Sequence, residues 1–183
     1  MTIDALKGRL PDYAKDLKLN LGTVLTTSSL KPYQAWGAAV AAAIATRNAD
    51  VTATILGEAA AHMDAAQLTG AKAAAAIMGM NNVYYRTVHL SGNAEFKKMP
   101  ARLRMNVIGN PGVDKVDFEL WSLAASAVNG CGMCIEAHEH EVLQKGMTTE
   151  NIQDAVRIAA VLHAVATVLE AEAAAGTTLA AAA

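Results

Sequence analysis

The sequence predicts an all-α fold with an internal duplication of a helical unit. Alanine, leucine, glutamate, lysine and methionine dominate, aromatic residues make up only 4% of the chain, and runs of β-branched residues are missing. Sliding the chain against itself by 85 positions lays Trp36 on Trp121, Gln34 on Glu119, and the alanine-rich segment 67–82 on 152–167.

Taken in order, Pro11 suits the first turn of a helix running towards Thr26, and segments 30–46, 51–63 and 66–80 read as alanine-rich helices that pack closely. The turn GNPG at 109–112 separates them from a second set: 116–128, 131–145 ending at Gly146, and 149 to about 175. One domain over 1–183 is expected, with a first helical half at about 1–90, a second half at about 112–175, and a low-complexity tail, AEAAAGTTLAAAA, that frays. In the 85-residue register Thr46 falls on Cys131, Ala49 on Cys134 and Ala53 on His138, so one half keeps the scaffold while the other carries polar groups.

Composition narrows the function. Fifteen basic against seventeen acidic residues leave no electrostatic footprint for nucleic acid, and Lys97, Lys98, Arg102 and Arg104 read as a solvated loop. Mean hydropathy is +0.23, mostly from alanine, and no stretch of about 18 residues is continuously apolar, which speaks against a membrane span. The first residues lack the apolar run of a secretory signal, so a cytoplasmic location is expected.

The chemistry concentrates in NGCGMCIEAHEH, residues 129–140, which holds both cysteines of the protein. Asn129 and Gly130 form a turn, placing Cys131 at the start of a helix, where the dipole and unpaired N–H groups favour a thiolate. Cys134 and His138 follow at i+3 and i+7 on one face, near enough for a disulfide between the cysteines and for the imidazole to reach the Cys134 sulfur. His140, Glu136 and Glu139 fall off that face. Glu119 lies in the apolar run FELWSLAASAV, either on an exposed stripe or buried with a partner as a proton relay. A zinc site from Cys131, Cys134, His138 and His140 is the rival reading, although His140 does not turn easily towards the other three. A non-enzymatic helical interaction module is another. The segment Met78, Met80, Asn81, Asn82, Tyr84, Tyr85, Arg86 could line a pocket or a subunit contact, or be helix packing followed by a turn; it is given no catalytic role. His62, His89 and His163 are isolated.

The pattern of Glu119, eleven residues, Cys131, two residues, Cys134, three residues and His138 resembles the signature of the alkylhydroperoxidase D family, within the carboxymuconolactone decarboxylase-like superfamily. LPDYAKDLKLNL, AAAIMGMNNVYYR, LRMNVIGNPG and AHEH are similar to the same family. The resemblance implies a cytoplasmic antioxidant peroxidase, assembled as a homotrimer, that reduces alkyl hydroperoxides. It implies that Cys134 attacks the peroxide and becomes a sulfenic acid, that Cys131 donates a proton and then closes the disulfide, and that Glu119 and His138 relay protons. It further implies no tightly bound cofactor, dihydrolipoamide on the acyltransferase of a 2-oxo acid dehydrogenase as reductant, and the peroxiredoxin AhpC as electron acceptor. Relatives can carry serine and histidine where this chain has Gly132 and Met133, a pair that tunes the dithiol potential.

Overall fold

The computed structural model describes the backbone of residues 1–182 and the side chains of 1–176; the tail expected to fray continues as helix to Ala182 in the described backbone. Among them are nine α-helices and two 3-10 turns, with no strand. The helices are α1 (Ile3–Gly8), α2 (Lys15–Thr23), α3 (Pro32–Thr46), α4 (Ala49–Ala59), α5 (Ala65–Leu90), α6 (Asn106–Gly109), α7 (Lys115–Asn129), α8 (Gly132–Gln144) and α9 (Thr149–Ala182). Shifting α3, α4 and α5 by 85 positions lands on α7, α8 and α9.

The core is a central pair, α3 against α7, flanked by α5 and α9, with α4 on α3 and α8 on α7. Both central helices are buried nearly all round: α3 from Gln34 to Ala43 and α7 from Asp117 to Ser126. A helix made of alanine, glycine and valine brings its axis close to a neighbour, and here the neighbour supplies the bulk. Trp121 lies fully buried against the backbone of Gly37, where a Cβ would overlap the indole. The indole N–H donates to the Gln34 carbonyl at 3.2 Å, and the Gln34 amide donates to Asp117 at 2.6 Å. Burial pushes the Asp117 carboxyl above its ordinary value, partly offset by that bond from Gln34. Gly37→Ala is therefore expected to overpack the central pair and cost about 2 kcal/mol or more, read as a lower midpoint in urea unfolding; an unchanged midpoint would mean that Trp121 has room to move.

Helix ends follow their local sequence. Thr2, Asn48, Asp64 and Asp114 each accept a backbone N–H at the start of α1, α4, α5 and α7, and Asp64 and Gln67 cap reciprocally. The GNPG segment turns as expected, with Gly112 at a φ of 74°. Besides the 3-10 turn at Phe96–Lys98 and helix α6, neither of them expected, three elements depart from expectation. The helix expected from Pro11 divides into a 3-10 turn at Asp12–Ala14 and α2. Helix α1, unforeseen, is anchored by fully buried Leu6 and by the Ile3 N–H donating to Glu58 at 2.6 Å. Helix α5, expected over 66–80, does not stop at Met80 but runs ten residues further, to Leu90. The basic segment 97–104 lies in a loop with its four cations exposed.

By average hydropathy, 1.6 over its most apolar window, Thr149–Gly176 of α9 is long and apolar enough to cross a membrane. In the structure it packs against α3 and α7 along a buried stripe of Ile152, Ala155, Ile158, Leu162, Val165 and Leu169. That spacing is an amphipathic core helix.

Candidate active site

Helix α7 ends at Gly130, whose φ of 65° is the left-handed cap that glycine adopts without strain. The chain reverses there, and the Cys131 N–H donates to the Ser126 carbonyl at 3.2 Å. Cys131 becomes the N-cap of α8 and Cys134 sits in its first turn, with Cα atoms 5.3 Å apart and the two sulfurs joined as a disulfide. The sulfurs are not equivalent. Cys131 is fully buried, whereas Cys134 borders a pocket of about 220 Å³.

Side chains from α5 hold the turn from behind. Asn82 donates through Nδ2 to Ser126 Oγ and accepts through Oδ1 from Asn129, both at 2.9 Å, and Arg86 donates to the Asn129 carbonyl at 2.6 Å.

One turn beyond Cys134, His138 points inward. Its Nδ1 lies 2.6 Å from Oε2 of Glu119 and its Nε2 lies 3.2 Å from Sδ of Met78. Glu119 is 4% exposed, which settles the alternative that the sequence left open: the carboxylate is buried, and its partner is His138. A carboxylate on one imidazole nitrogen fixes the ring and accommodates a proton on the pair. With both nitrogens engaged, the imidazole makes no hydrogen bond to the Cys134 sulfur in this oxidised state, although the spacing alone allowed one.

The pocket is lined by Met78, Asn81 and Tyr85 of α5 and by Met133, Cys134, Ala137 and His138 of α8. Its walls are mostly apolar and Cys134 is its one cysteine, so it suits a small ligand with a hydrocarbon body. A larger cavity of about 450 Å³ between α2 and α9 holds no thiol or imidazole and lies apart from this chemistry. His140 is exposed and paired with Gln144 at 2.8 Å. Among the described residues no group of three or more His, Cys, Asp or Glu side chains is arranged to hold a metal ion. Sequence reasoning gave Met78, Asn81 and Tyr85 no catalytic role but allowed their segment to line a pocket; Met78 falls within the expected helix, and the extension of α5 brings Asn81 and Tyr85 beside it at Cys134.

The sequence profile of the Carboxymuconolactone decarboxylase family matches residues 94–176. A protein of Rhodospirillum centenum named alkyl hydroperoxide reductase AhpD is 83% identical over 174 residues, covering 95% of this chain and 94% of that protein. Its namesake from Brucella anthropi is 58% identical over 93% of this chain and 98% of its own length. The chain belongs to the AhpD family. A third member, from Gluconacetobacter diazotrophicus, is 58% identical across 96% of this chain and 97% of its own. The profile match spans Glu119, both cysteines and His138 but stops short of α5, so the wall of the pocket opposite the disulfide comes from outside it.

Proposed function

We propose that this protein is a thiol peroxidase that reduces alkyl hydroperoxides by cycling Cys131 and Cys134 between dithiol and disulfide. The observation that carries the reading is the asymmetric pair itself: one sulfur faces an apolar pocket, its partner is buried one helical turn away, and a buried carboxylate–imidazole pair stands beside them. The names of the AhpD relatives supply the substrate class.

In the reduced protein the Cys134 thiolate attacks the terminal oxygen of the hydroperoxide. Sulfur gives two electrons to the O–O bond, leaving Cys134 as a sulfenic acid and the substrate as an alkoxide. Cys131 supplies the proton that makes the alcohol, and the Glu119–His138 pair restores it. Cys131 then displaces hydroxide from the sulfenic acid, which leaves as water and regenerates the disulfide before further oxidation. Resolution within the chain is fast because the Cα atoms already stand 5.3 Å apart.

Re-reduction needs an external dithiol. Dihydrolipoamide fits: it is narrow, its hydrocarbon arm suits an apolar pocket, and it attacks the pocket-facing Cys134 sulfur while Cys131 leaves from the N-terminus of α8, where a thiolate is favoured. A lipoylated acyltransferase of a 2-oxo acid dehydrogenase is the proposed donor, the peroxiredoxin AhpC the proposed acceptor in a coupled system, and a cytoplasmic homotrimer the proposed working form.

Intact mass and free-thiol count test this directly. Reduced protein given one equivalent of an alkyl hydroperoxide is expected to lose both thiols and become two hydrogens lighter, and dihydrolipoamide is expected to restore them. Thiols that persist through the treatment would end the peroxidase reading.

A further inference from the structure

The Glu119–His138 pair touches a third side chain that the cycle above does not use. Nε2 of His138, the nitrogen turned away from Glu119, lies 3.2 Å from Sδ of Met78, and all three side chains are buried. The same sulfur lies 3.7 Å from Nδ2 of Asn82, whose amide also bonds Ser126 and Asn129. One thioether therefore meets two side-chain nitrogens, one from the clamp on the Cys131 turn and one from the relay.

A thioether accepts a hydrogen bond and donates none. The Asn82 amide nitrogen only donates, so the Met78 sulfur already serves as an acceptor on that side. The same rule applied to the 3.2 Å contact puts a hydrogen on Nε2 of His138. On the other side of the ring, Nδ1 faces the Glu119 carboxyl at 2.6 Å. If that carboxyl is ionised, Nδ1 carries a hydrogen too and the ring is an imidazolium; if it is protonated, it donates to a bare Nδ1. Both arrangements hold one proton more than a carboxylate beside a neutral imidazole. Without the sulfur, Nε2–H would be a buried donor with no acceptor, and a neutral ring with its one hydrogen on Nδ1 would be favoured instead.

We propose that Met78 is a positioning residue: its sulfur keeps a hydrogen on Nε2 of His138 while the cysteines are joined, so that the Glu119–His138 pair stands loaded with a proton in the disulfide state. This rests on the peroxidase reading and adds to it the place where the relay proton is kept between turnovers. Protons balance over the cycle. When dihydrolipoamide breaks the S–S bond, Cys131 leaves with the bonding electrons and takes the proton of the pair. The dithiol gives up two protons as it closes its own disulfide; one reloads the pair and the other goes to solvent. In the peroxide half the pair again passes its proton to Cys131, hydroxide leaves as water, and the emptied pair takes one proton back from solvent.

The test pairs Met78→Leu, which removes the acceptor, with Met78→Gln, which returns one on a side chain of similar length. Nitrogen NMR of isotope-labelled histidine rings reads the disulfide form, with the His138 signals assigned by their loss in His138→Asn. Nε2 is expected to be protonated in the wild type, bare in the leucine variant and protonated again in the glutamine variant. Turnover of tert-butyl hydroperoxide with dihydrolipoamide is expected to fall about fivefold with leucine and to recover with glutamine, the reverse of the order that an apolar packing role would give. A bare Nε2 in the wild type, an Nε2 that stays protonated with leucine, a turnover that leucine leaves unmoved, or one that falls further with glutamine would overturn the assignment. Wild-type protein with a protonated Nε2 that is inert to hydroperoxide would bring down the peroxidase reading and leave the contact standing.

Discussion

Cys134→Ser protein is expected to leave alkyl hydroperoxide at its uncatalysed rate of decay, whereas Cys131→Ser protein is expected to consume about one equivalent and stop. The difference follows from where the sulfurs lie: Cys134 meets the pocket and Cys131 is shut behind it. Without Cys131 the sulfenic acid still forms, slowly for lack of its proton donor, and then has no thiol within reach to close on. Mass spectrometry of that variant should find one added oxygen on Cys134, trappable by dimedone, with further oxidation if excess peroxide is present. Equal residual turnover in the two variants would refute the division of labour, since it would leave the pocket-facing sulfur with no special part.

Glu119→Gln is expected to lower the second-order rate with hydroperoxide by about a hundredfold while leaving the unfolding midpoint nearly unmoved, the loss being that of a proton-transfer group. Glutamine fills the same space and keeps a hydrogen bond to His138, so packing between α7 and α8 survives. What it loses is the negative charge 2.6 Å from Nδ1, and with it the ability of the pair to take up a proton and return it to Cys131. The variant should still form its disulfide with diamide, because that oxidation does not draw on the relay. A wild-type rate with hydroperoxide would reduce the Glu119–His138 contact to a structural pair.

The part of the site that was legible is the part written in short spacings. Turn residues at 129–130, thiols at i and i+3 and an imidazole at i+7 define one face of one helix, and local geometry carries them into the structure. Glu119 was visible as a carboxylate in an apolar run, but its burial depends on α8 crossing α7, which no local pattern encodes. The opposite wall was legible only as one of several readings of the segment 78–86, pocket lining, subunit contact or helix packing before a turn. Asparagine pairs and consecutive tyrosines are weak helix formers, so a stop near Met80 was the reasonable reading of propensity. Packing against α7 and α8 overrides it and carries α5 on to Leu90, turning Asn81 and Tyr85 towards a cysteine some fifty residues away in sequence. Helix α1 escaped for the opposite reason: it is too short for a periodic signal and is held by buried Leu6, partly buried Ile3 and the contact to Glu58.

The clamp on the turn before Cys131 is made of amide, hydroxyl, guanidinium and carbonyl groups, none of which gains or loses a proton or an electron when the sulfurs do. The main chain of this turn is therefore gripped by groups that do not themselves change with the oxidation state of the sulfurs. On the proposed cycle, a partner thiol would meet the same gripped turn at the mouth of the pocket in either state of the sulfurs.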